Sequence, residues 1–149
     1  MKITYLLFTA SATLFLAACG QPSTTALMEK GSFAMWQGRW NDAATSYREI
    51  TEMHPGDWEA HYNLGKCLLE LGDPRGASAS LEIANTIVPT NLDVSDLLAE
   101  TYLATGNENK LFTFLEAQAG EQQTVRAWTK FAEYAMAISD PDSATVAID

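Results

Sequence analysis

The chain is poor in the residues that do chemistry. It holds two histidines, His54 and His61, and two cysteines, Cys19 and Cys67, among 149 residues. No CxxC, HExxH, GxSxG or glycine-rich phosphate loop is present. His54 stands in a turn before Pro55, and His61 falls at a packing position of a helix. Neither has the partners that general-base or metal chemistry needs, so the chain is expected not to be an enzyme and to carry no metal or dissociable cofactor. Basic residues are also scarce, at 9 against 19 acidic ones. Phosphate backbones are gripped by clustered Lys and Arg, so nucleic acid is excluded as a partner. Nothing marks a small-molecule substrate pocket.

Long apolar runs are equally scarce, with one exception. Ile3 to Ala18 carry no charge over sixteen residues, after a positive start at Lys2. That falls short of the ~20 residues that span a bilayer as a helix. A charged start, an apolar run and small residues at Ala17 and Ala18 mark a secretory signal over residues 1–18. Leu16-Ala17-Ala18-Cys19-Gly20 resembles the lipobox of bacterial lipoproteins. The resemblance implies cleavage after Ala18, a diacylglycerol on the Cys19 thiol and an acyl chain such as palmitate on the new amine. Several chains anchor far more firmly than one, since each buried methylene contributes ~0.8 kcal/mol. Gly20 stands where an aspartate would favour retention in the inner membrane. The resemblance therefore implies the outer membrane, on its periplasmic side. Lipidation uses Cys19 and leaves Cys67 without a disulfide partner. Removing residues 1–18 leaves 8 basic and 19 acidic residues, a net charge of −11.

The remainder repeats. Gly38, Gly72 and Gly106 recur at one fixed interval, and Gly31 and Gly65, Ala43 and Ala77, and Pro55 and Pro89 are separated by the same interval. Tyr47, Leu81 and Leu115 keep it too. Small residues at fixed phase let two helices touch. Glycine after a helix supplies a left-handed stop, and proline ends the second helix. Asp73-Pro74 and Asp140-Pro141 read as helix starts, and Asn107 as a cap.

This pattern resembles the tetratricopeptide repeat, a helix–turn–helix unit of about 34 residues. The resemblance implies an all-α superhelix of about three and a half hairpins, stacked as a solenoid. The units are 24–57, 58–91 and 92–124, with a degenerate fourth at 125–149. Residues 19–25 form the lipidated N-terminus and a short tether, and 26–149 the repeat domain. Lys30 departs from the leucine expected in the first unit. In the fourth, Trp128, Phe131 and Ala132 keep the phase, and an apolar stretch around Val146 and Ile148 lacks the polar face of a capping helix.

The resemblance also implies a concave groove lined by the first helix of each hairpin. On it, Met28, Met35, Trp36, Tyr62, Lys66, Leu69, Asp96 and Glu100 are the candidate peptide-binding residues. Their spacings of three and four keep them on one helical face. The lining is apolar toward the N-terminus and acidic further on, which suits a peptide or helix with apolar anchors and a basic segment. Repeats of this kind that clamp the C-terminal carboxylate of heat-shock chaperones use Lys, Asn and Arg. The matching places here hold Met28, Ser32, Asn63, Asp93 and Leu97. Only Asn63 agrees, so that clamp is absent. The expected function is a membrane-anchored scaffold or assembly factor of a pilus, secretion or outer-membrane complex. A self-associating structural subunit of the envelope is the alternative.

Overall fold

The structure, a computed structural model, describes residues 22–122, 129, 132–134 and 136. The signal segment 1–18, Cys19, Asp140-Pro141 and the apolar C-terminal stretch lie outside the described residues. Six helices are described: α1 Thr24–Trp36, α2 Trp40–Met53, α3 Trp58–Glu70, α4 Pro74–Ile87, α5 Leu92–Ala104 and α6 Glu108–Gln122. No strand occurs among the described residues. Each helix packs on the next in the chain, making three antiparallel hairpins in a row. The first helices start at Thr24, Trp58 and Leu92, and so keep the interval of the glycines. The fold is the all-α tetratricopeptide superhelix.

Local chemistry sets each boundary. Gly38, Gly72 and Gly106 adopt φ of 69°, 75° and 65°. At each, the glycine amide and the next amide turn back onto the helix. Gly72 N–H donates to Leu69 C=O at 2.9 Å and Asp73 N–H to Leu68 C=O at 2.8 Å. These paired bonds satisfy carbonyls that a helix end otherwise leaves open. Asp73 then caps α4, accepting from Gly76 N–H at 2.9 Å, with Pro74 in the first turn. Asn107 caps α6 more loosely, accepting from Lys110 N–H at 3.3 Å. Ser23, Asp57 and Asn91 cap α1, α3 and α5 in the same way. Pro55 and Pro89 follow directly on the closing residues His54 and Val88.

The glycines in the first helices mark where hairpins close. A Cβ on Gly31 would lie 2.8 Å from the Tyr47 ring, and one on Gly65 would lie 2.7 Å from Leu81 Cγ. Both distances are inside van der Waals contact, so the second helix sits where only glycine fits. The core forms two clusters. One joins α1, α2 and α3 through Leu27, Ala43, Tyr47, Ile50 and Leu64. The other joins α4, α5 and α6 to Tyr134 through Leu81, Leu98, Tyr102, Leu111 and Leu115. Cys67 is fully buried, and burial pushes its thiol up to about 11, so it behaves as a small hydrophobe. His61 is buried too. Its Nε2–H donates to Pro55 C=O at 3.0 Å, which fastens α3 to the preceding turn, while Nδ1 has no partner.

Candidate peptide-binding groove

The first helices α1, α3 and α5 present the candidate residues at matching heights. Met28 and Met35 are half-buried and pack against the first core cluster. Their place is therefore shared between core and surface, and each offers only part of its side chain to a ligand. Trp36 does not join that cluster. It is 80% exposed and stacks on Phe33, with ring centroids 5.9 Å apart and planes 22° apart. The structure thus separates Trp36 from the two methionines with which the sequence groups it. The cause is Phe33, one turn back, which offers an open aromatic face.

Tyr62, Lys66 and Leu69 follow one another along α3 at spacings of four and three, and all are half-buried. Tyr62 packs against the second core cluster together with Leu97, Leu103 and Phe114. Lys66 holds its ammonium 5.5 Å from the centre of the Tyr62 ring, a cation–π contact. The Tyr62 hydroxyl is pushed above its ordinary range, first by burial and then by the charges of Asp93 and Glu100 on α5. Tyr134 is buried beyond α5. Burial raises its hydroxyl, and Glu100, Asp96 and Glu133 raise it further. Of the α5 carboxylates, Glu100 acts on both tyrosines, Asp93 on Tyr62 and Asp96 on Tyr134. Asp96 is half-buried and Glu100 exposed.

Tyr134 is a buried core residue beside the α5 carboxylates that periodicity does not single out. The third unit is one residue short, so Tyr134 falls just short of one full period after Thr101 and of two after Cys67, both buried. Glu82, Tyr102 and Lys110 were missed as well. Tyr102 O–H donates to Glu82 Oε1 at 2.9 Å, and Lys110 Nζ donates to the same oxygen at 2.6 Å. Lys110 also lies 5.5 Å from the Tyr102 ring centre. This lattice joins α4, α5 and α6. Beside it is a cleft of about 600 Å³ floored by Leu98, Tyr102 and Phe114. A second, of about 430 Å³, opens by Arg75, Ser78 and Asn107. Both are wide and shallow, with no convergent set of catalytic groups. No group of three or more metal-ligating side chains occurs among the described residues. No described helix is long and apolar enough to cross a membrane.

The tetratricopeptide repeat family matches residues 28–91. No curated protein matches the chain in sequence. Among solved structures it resembles the first repeat domain of Spaghetti (RPAP3) bound to the HSP90 peptide SRMEEVD. The identity is 15%, the TM-score 0.63, and the match covers 78% of this chain and 96% of that one. The same domain of human RPAP3, solved by NMR, matches at 15% identity and TM-score 0.63, over 78% of this chain and 92% of that one. A crystal structure of MamA matches at 19% identity and TM-score 0.67, over 80% of this chain and 66% of that one. At these identities the likeness shows the fold alone.

Proposed function

Taking a chain with tetratricopeptide repeats over residues 28–91 and the same fold beyond them, we propose that its groove binds a protein partner. The partner presents a peptide or helix with apolar side chains and a basic segment. One observation carries this reading: Asp93, Asp96 and Glu100 follow one another at spacings of three and four along α5, and Glu100 is near enough to Tyr62 and Tyr134 to add to what burial does to both hydroxyls. An incoming Lys or Arg gains charge from the carboxylates and an aromatic face from Tyr62, while its neighbours pack on Leu69 and the methionines. RPAP3 is bound to a peptide ending in EEVD. A peptide of that charge is disfavoured here, because Asp93 and Glu100 would repel it and of the clamp positions only Asn63 agrees.

The same proposal places the domain at a membrane. A lipid on Cys19 would hold it in the bacterial envelope, on the periplasmic side of the outer membrane, as scaffold or assembly factor of a pilus, secretion or outer-membrane complex. The lipobox-like run supports this part. No catalytic step belongs to the reading.

Two substitutions test the two parts. Asp96→Asn with Glu100→Gln leaves the core intact and should weaken capture of the partner about tenfold, measured by co-purification from crosslinked cells. Unchanged capture by a folded variant contradicts the groove. Wild-type protein should incorporate labelled palmitate in growing cells and Cys19→Ser should not. Equal labelling of the two, or none in either, contradicts the anchor.

A further inference from the structure

In the stack, equivalent positions differ in one systematic way. Ala60 and Cys67 on α3, and Val94 and Thr101 on α5, are fully buried, because each faces the second helix of the preceding hairpin. The same positions on α1 are Ala26 and Phe33. Both are exposed, Phe33 at 55%. Lys30 is exposed where Leu64 and Leu98 are buried. Among the described residues no helix precedes α1. Its outer face is thus an interface position left open, and it carries Lys30, Phe33 and the stacked Trp36.

We propose that this open face of α1 rests on a lipid bilayer, with Phe33 and Trp36 in the headgroup layer and Lys30 reaching the phosphates. The proposal rests on the lipid-anchor reading of Cys19. Four residues, Gly20 to Ser23, separate that cysteine from Thr24. Five backbone steps reach at most ~17 Å, so the first turn of α1 stays at the membrane surface. Phe33 and Trp36 lie about 18 Å or less further along the helix. The chemistry fits an interface. Indole and phenyl rings favour the headgroup region, and lysine buries its stem while its ammonium stays wet. Glu29, exposed on the same turn as Lys30, opposes attraction to strongly anionic lipid. The aromatic pair therefore supplies most of the contact, with Lys30 adding a single phosphate partner.

The test uses the full protein purified in detergent from the producing cells. The mass of its N-terminal peptide first shows whether Cys19 is acylated. The protein is then placed in vesicles of phosphatidylethanolamine and phosphatidylglycerol, with and without brominated acyl chains. Brominated lipid should quench wild-type tryptophan emission. Trp36→Phe, which keeps Trp40, Trp58 and Trp128, should lose that quenching. Acylated Cys19 with equal quenching in both proteins overturns the lipid contact and leaves the anchor standing. Unmodified Cys19 removes the anchor and this contact with it. Equal quenching together with a sedimentation coefficient of a dimer assigns the face to a second copy and also overturns the proposal.

Discussion

Hairpins one and two differ from hairpin three in how their helices meet. Gly31 lies under Tyr47 and Gly65 under Leu81, each too close for a Cβ. Ala99 takes that place in the third hairpin, and α5 and α6 pack far less extensively than α3 and α4. A polar lattice, Glu82 with Tyr102 and Lys110, adds to the buried contacts of Leu98, Leu111 and Leu115 there and ties α6 to α4 as well as to α5. Tight hairpins owe their stability to close packing, whose loss is costly. The more open third hairpin also buries Leu98, Leu111 and Leu115, but its helices close less tightly and its exposed charges contribute little. The acidic residues of the candidate groove, Asp96 and Glu100, stand on α5, the less tightly packed side of this contrast.

The comparison can be broken first in the core. Leu81→Ala removes a fully buried side chain that fills the space over Gly65, and should cost about 2–5 kcal/mol in urea unfolding. Leu115→Ala, the equivalent change in the open hairpin, should cost less. Equal losses would show that the third hairpin packs as tightly as the second.

A smaller effect is expected at the glycine itself. Gly65→Ala gains about 1 kcal/mol of helix propensity but places a methyl 2.7 Å from Leu81 Cγ, so a net loss of about 1–2 kcal/mol is expected. Ala99→Gly should also destabilise, by about 1–2 kcal/mol, through lost helix propensity and a lost buried methyl. A stabilised Gly65→Ala protein, read by thermal unfolding, would show that the hairpin has room to open.

Capping should follow the same order. Asp73→Ala removes a 2.9 Å bond at the start of α4 and should cost about 1 kcal/mol. Asn107→Ala removes a 3.3 Å bond and should cost less.

The smallest effect is the exposed pair. Lys110 and Tyr102 hold the Glu82 carboxyl below its ordinary value of 4.5. A carboxylate lowered in the folded state stabilises above its unfolded pKa, and that contribution disappears as pH falls through the folded value. Both side chains are more than a third exposed, so screening limits the pair to roughly 0.2–1 kcal/mol. Glu82→Gln should lose that small contribution at pH 7 and flatten the fall in stability below pH 4.5, where the two proteins converge. An unaltered acid limb would remove Glu82 from the lattice.

The fold was legible because its markers are local and recur in phase. Glycine at 31 and 65 forces close helices, and glycine at 38, 72 and 106 forces left-handed stops, whatever surrounds them. The helix starts at Asp73 and Asn107 were equally plain. Less was legible at the site. The pairing of Glu82 with Tyr102 and Lys110 bridges 20 and 28 residues, and no periodicity announces it. Tyr134 was hidden by the residue missing from the third unit. Trp36 carries the phase of a groove residue, but Phe33 draws its ring aside, because α1 has no preceding hairpin among the described residues.

The groove assignment is tested most directly by a photo-crosslinking amino acid placed at Tyr62 and, separately, at Ile83, which is exposed on α4, in living cells. The account predicts one discrete crosslinked protein from position 62, lost when Asp96 and Glu100 are neutralised, and none from position 83. The same product from both positions, or from position 83 alone, would contradict it.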